Sequence, residues 1–110
     1  MQSAPATSMT ECRRILLDLG FPPNRAGYRQ LYVAIEKYAS DPEQGMLSEV
    51  YPYVAKVLGR SDGRSVEITI RRVIRDTWKT RNKQKWKQYF PYHKTAPTNK
   101  QFIATIVEYL

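Results

Sequence analysis

Read at about 100° per residue, the apolar positions of this chain fall into helical stripes, and no segment sustains the period-two alternation of a half-buried strand. Ile15, Leu16 and Leu19 make a short apolar face. Thr10 is a suitable N-cap before it, and Gly20 with Pro22 and Pro23 supplies the stop. Asn24 to Gly27 reads as a turn. Tyr28, Leu31, Tyr32, Ala34, Ile35 and Tyr38 then keep the three–four spacing of a buried helix face, predicting a second helix over about 27–39. "SDPEQG" breaks it. A third apolar segment spans roughly 46–58, with Leu47, Val50, Tyr51, Val54, Val57 and Leu58 expected to face inward. Pro52 predicts a break near Tyr51.

Gly59 closes that segment, and Ser61 or Asp62 can cap the next helix, expected near 62–79. Its buried stripe is Val66, Ile70, Val73, Ile74, Thr77 and Trp78, with Trp78 expected in the core against the third helix. Arg64, Arg71, Arg72, Arg75 and Lys79 fall on the opposite side, and a lone isoleucine, Ile68, falls among them. "RNKQKWKQYFPYHK" interleaves basic residues with Trp86, Tyr89, Phe90 and Tyr92. Either its aromatics plug the core and its lysines are solvated, or lysines meet phosphates while aromatics stack on exposed bases. Thr98 followed by Gln101 has the spacing of a capping box, and the last helix carries Phe102, Ile103, Ile106, Val107 and Leu110. The pattern predicts an all-α domain of about five to six helices over 10–110, with residues 1–9 as a flexible lead-in or linker end.

Charge sharpens the picture. The net charge is +8, and it is unevenly placed. Residues 1–55 hold five basic and six acidic side chains, whereas residues 56–110 hold thirteen basic and four acidic ones. A charge confined to one half points to an anionic partner, nucleic acid first, with an acidic protein, an anionic membrane surface or a merely solvated face as the other readings. No apolar run approaches the ~20 residues that span a bilayer, and the N-terminus has neither the charged nor the apolar region of a signal peptide. The single Cys12 fits a reducing cytoplasm and a place on the first helix's core side, and His93 is expected in an exposed loop. No nucleophile has a sequence-supported partner, and there is neither a phosphate-binding glycine loop nor metal-ligand spacing, so no enzyme, metal or cofactor is expected.

Two short helices joined by a Gly-containing turn, the second basic on its outer face, form a helix-turn-helix signal. Such a second helix buries one stripe while presenting long donors to phosphates and base edges, tasks that arginine performs well. Ile68 can contact thymine methyl groups in a groove. Glu67 either accepts from cytosine or pairs with Arg71 one turn on.

These stretches resemble the C-terminal DNA-binding effector domain of the stage zero sporulation protein A family, the sporulation response regulators. "LGFPPNRAGY", "LYVAI", "VYPYVAK", "VEITIRRVIRDTW" and "APTNKQFIATIVEYL" are similar to that family's signatures in the same order, from Ile15 to the end. The resemblance implies a helical domain that reads short AT-rich promoter boxes in double-stranded DNA, pairs there as a homodimer and regulates transcription, with RNA polymerase as a further partner. It puts Arg64, Ser65, Glu67, Ile68 and Arg71 at positions expected to meet bases and Arg72 at a phosphate-capable one, while the charge of the second half of the chain makes Lys56, Arg60, Arg75 and Lys79 the further expected phosphate contacts.

The departures from the family pattern matter too. The family's Ser-Arg is here Arg64-Ser65, its next arginine is Ile68, and its histidine is Arg72. Three residues are absent between "YHK" and "APTN", which shortens a loop. Ile68 is thus either a changed letter in the recognition code or a mark of lost specificity. The second option leaves a diverged protein-interaction or dimerisation module of the same fold. The family's receiver domain has no room in 110 residues, so the chain reads as an excised effector domain or as a stand-alone relative.

Overall fold

The computed structural model describes residues 4–60 and 62–110. Among them the chain forms α1 (Ala4–Asp18), α2 (Ala26–Ser40), a π-helical turn (Met46–Val50), α3 (Tyr51–Leu58), α4 (Gly63–Lys79), α5 (Lys83–Lys87) and α6 (Asn99–Glu108), with no strand. The all-α expectation holds. The first helix begins earlier than its apolar face suggests, so Thr10 lies inside α1 rather than at its start. Ser61, one of the two expected caps, lies outside the described residues, as do residues 1–3 of the expected lead-in.

Helix α2 is the hub, packing against α1, α3, α4 and α6. Its expected face from Tyr28 to Tyr38 is buried, and so are Gln30 and Val33 on its other flanks. The approach to α4 is closest at Gly27, where a Cβ would lie 2.7 Å from Val73 Cβ. Only the bare glycine backbone lets the two helices come this near. Gly20, at φ +94, ends α1 in a backbone conformation that costs other residues strain.

The third segment corrects one expectation. It does break at Tyr51, with Pro52 in the first turn of α3, where a missing N–H costs nothing. Yet Leu47 is 72% exposed and Val57 51% exposed. A π-helical turn winds wider than 3.6 residues per turn, so Leu47 drops out of the stripe that Val50 and Val54 continue. Tyr51, Val54, Ala55 and Leu58 share an arc of α3 from which Val57 diverges.

The far side of the core is aromatic. Trp86 is 1% exposed, its ring 5.9 Å from Phe21, 5.5 Å from Phe90 and 5.7 Å from Phe102. Its indole N–H donates to the Leu19 carbonyl at 3.0 Å, a bond that ties α5 to the end of α1. Trp86 and Phe90 therefore plug the core, while Tyr89 is half-buried and Tyr92 is exposed. Trp78, expected in the core against α3, is half-buried instead. It stands edge-on to Trp86 at 5.3 Å, and the Arg81 guanidinium lies 3.7 Å over its ring. His93 is also half-buried, edge-on to Phe90. No helix among the described residues is long and apolar enough to cross a membrane.

Candidate functional site

Three local devices fix α4. Gly59 ends α3 at φ +68, with the Arg60 N–H donating to the Ala55 carbonyl and the Gly59 N–H to the Lys56 carbonyl. This is the left-handed helix stop that satisfies the last carbonyls. Asp62 then caps α4, its carboxylate accepting from the Ser65 N–H at 2.9 Å. The α4 start packs directly on α3, since a Cβ on Gly63 would meet Pro52 N and Tyr51 Cβ at 3.2 Å each. Two helices joined by a four-residue turn are thereby held at a set angle.

The buried stripe of α4 is Val66, Ile70, Val73, Ile74 and Thr77. Those side chains leave an arc centred on Ile68 facing outward, and Arg64, Arg71, Arg72, Arg75 and Lys79 lie around it, all exposed. Ile68 is itself half-buried, its neighbours three and four residues away being Arg64, Ser65, Arg71 and Arg72. The structure thus brings Arg64, Ile68, Arg71, Arg72, Arg75 and Lys79 together on one face. Lys56, on the last turns of α3, and Arg60, in the turn, are exposed at the entrance to that helix.

Three of the candidate base contacts, Ser65, Glu67 and Arg71, have partners within the protein. Arg71 Nη1 donates to Glu67 Oε2 at 3.4 Å, an ion pair one helical turn apart. The Ser65 hydroxyl donates to the Asp62 carbonyl at 3.0 Å as part of the cap. Asp76, the other acid on α4, is tied away from the basic arc by Arg25 at 3.1 Å. Lys85, from the basic stretch after α4, pairs with Asp18 at 3.0 Å.

The sequence reading missed the bracing behind α4. Asn99, the first residue of α6, is only 8% exposed and donates through Nδ2 to the Glu67 carbonyl at 3.0 Å and to the Tyr51 hydroxyl at 3.2 Å. One side chain therefore links α6, α4 and α3. Burial raises the Tyr51 phenol above its ordinary range, while the Asn99 bond works the other way. The capping box that marks the start of α6 is legible in sequence, but an asparagine following it carries no sign that it is buried.

The arrangement is a braced helix with a basic outer face. Its one cysteine, Cys12, is buried, and desolvation pushes the thiol up to about 12, so it is protonated at neutral pH. Residues 12–110 match the family model described as "Sporulation initiation factor Spo0A C terminal". The chain therefore belongs to the family of Spo0A C-terminal domains, DNA-binding effector domains of sporulation response regulators.

Proposed function

We propose that this domain is a sequence-specific regulator of transcription in which α3 and α4 act as a helix-turn-helix and α4 lies in the major groove of a promoter box. The observation that carries the reading is the outward arc of α4, five cationic side chains around one isoleucine, on a helix capped, packed and braced from behind. Arg64, Ser65, Glu67, Ile68 and Arg71 meet base edges. Lys56, Arg60, Arg72, Arg75 and Lys79 meet phosphates and set the register. In the free protein Glu67 neutralises Arg71. A guanine O6/N7 edge offers Arg71 two acceptors in place of one long ion pair, and Glu67 is then released toward a cytosine amino group. Two copies pair on DNA as a homodimer, each reading one box.

Ile68 also supports a second reading, that of a protein-interaction or dimerisation module with little DNA specificity, because it replaces an arginine of the family pattern. One titration separates the two. Fluorescence anisotropy with a family-type duplex, a scrambled duplex and a single strand should show preference for the first, with a log–log salt slope of about −4 to −6 for five to seven phosphates. Equal affinity for all three probes would favour the second reading. Binding without salt dependence would rule out a phosphate-directed face altogether.

A further inference from the structure

Where α4 meets the starts of α3 and α6 lies a groove of about 330 Å³. Arg71, Arg75 and Lys100 line it, Glu67 is the one acid in it, and Tyr51 and Asn99 form part of its lining. We infer that this groove and the N-terminus of α6 hold one backbone phosphate of the duplex, so that α6 serves as a second positioning element beside the reading helix. The inference rests on the DNA reading proposed above and adds to it Lys100, Tyr51 and Asn99, none of which the basic face of α4 includes.

Three independent features point to an anion here. First, the capping box occupies two of the N-terminal N–H groups of α6, Gln101 N–H on the Thr98 hydroxyl and Thr98 N–H on the Gln101 side chain. The Asn99 and Lys100 N–H groups, next in the first turn at the positive end of the helix dipole, make no backbone hydrogen bond among the described residues. Second, three cations from two elements, Arg71, Arg75 and Lys100, outnumber the single carboxylate, Glu67, in the lining. Third, the groove is lined by buried polar groups with unused bonding capacity. Tyr51 is 4% exposed, and its hydroxyl accepts from Asn99, which leaves its own proton without an acceptor among the described residues. Asn99 Oδ1, on a side chain committed through its Nδ2 alone, is buried without a hydrogen-bond partner among the described residues. Such orphaned groups are costly in a folded protein and are commonly explained by what binds there. A phosphate oxygen in the groove accepts the Tyr51 proton, whereas Asn99 Oδ1, itself an acceptor, takes no bond from the anion.

The geometry also explains why such a contact would help reading. Asn99 grips the Glu67 carbonyl, so a phosphate seated on α6 is one side chain away from the candidate base contacts of α4. Register set at α6 is passed to α4 by a hydrogen bond rather than by a flexible loop.

The test uses the whole chain and a random-sequence duplex, because a phosphate contact is independent of sequence. Lys100→Gln should flatten the log–log salt slope by about 0.9 and leave the melting temperature unchanged. Tyr51→Phe keeps the ring and removes only the hydroxyl, and it should weaken duplex binding about three- to tenfold. A parent protein that does not bind the duplex in a salt-dependent way would overturn the DNA reading itself. A parent that binds normally, with both variants matching its affinity and slope, overturns only the role of α6. Should Tyr51→Phe unfold, Lys100→Gln decides alone. Exchanging chloride for inorganic phosphate at constant ionic strength should leave duplex affinity within about twofold. Competition beginning at micromolar phosphate would make this a free-anion pocket and overturn the backbone assignment.

Discussion

Gly27→Ala perturbs the closest approach of α2 and α4 with a single methyl group. The new Cβ would lie 2.7 Å from Val73 Cβ, 2.9 Å from Val73 Cγ1 and 3.3 Å from the Thr69 carbonyl oxygen. Carbon atoms in comfortable contact sit about 3.5–4.0 Å apart, so the helices must part by roughly 1 Å, or Val73 must leave its place in the stripe. Overpacking of this kind costs about 1–3 kcal/mol. Against it, alanine is favoured over glycine in a helix by about 0.5–1 kcal/mol, a gain that shrinks near the helix start. The expected net loss is about 1–2 kcal/mol, a fall of roughly 4–8 °C in melting temperature for a domain of this size. Urea and thermal melts followed by circular dichroism measure it. Val73→Ala removes the Cγ1 contact and lets the residue yield, so the double mutant should be more stable than the sum of the single effects by about 0.5–1 kcal/mol. A Gly27→Ala protein that melts at or above the parent would refute the reasoning, as would strict additivity with Val73→Ala.

Other outcomes follow from the same geometry. Ile68→Ala should leave folding nearly intact while weakening the best duplex site by about 1 kcal/mol, and Ile68→Arg should move preference toward the family box, both read by selection from random duplexes. A large loss of thermal stability in Ile68→Ala would place the side chain against protein instead. Trp86→Ala should cost about 4–5 kcal/mol, because it opens the aromatic core and strands the Leu19 carbonyl, whereas Trp78→Ala, half-buried under Arg81, should cost about 2 kcal/mol. Equal costs in denaturant melts would contradict the difference in burial. The Cys12 thiol, held up to about 12 by burial, should resist a thiol reagent at pH 8 until the chain is unfolded. With its folded pKa raised, the stability this group contributes is complete below about pH 9 and is lost as pH rises toward 12, so an alkaline melt should decline across that window.

The amphipathic helices were legible because their stripes are long enough to show a period. Every residue from Val66 to Thr77 assigned to the inner side of α4 is buried, and the caps at Asp62 and Thr98 are where the residue types place them. Legibility failed where the period itself changes. Leu47 was misplaced because a π-helical turn does not keep 3.6 residues per turn, and α1 runs back through small residues that carry no stripe. Trp78 shows a subtler limit. Its position on the wheel suits the core, but its depth is set by Arg81, which covers it from the following loop. For the candidate site, the charges of α4 could be read from its wheel, since exposed arginines need no tertiary partner to declare a face. The Asn99 brace could not, because it joins residues 48 and 32 positions apart in the chain.

The bond from Trp86 to Leu19 has a bearing on how the chain is made. It spans 67 positions, and Trp86 with Phe90, Phe102, Ile103 and Ile106 supplies the far wall of the core from the last quarter of the sequence. As the chain emerges from a ribosome at about 5–20 residues per second, α1 and α2 exist for several seconds with Phe21 and part of the α2 surface uncovered. Helices form locally in microseconds, so these early elements wait, already wound, for a wall that has not been synthesised. Closure is then a single late event, and truncation anywhere before Trp86 should yield not a smaller domain but a sticky intermediate.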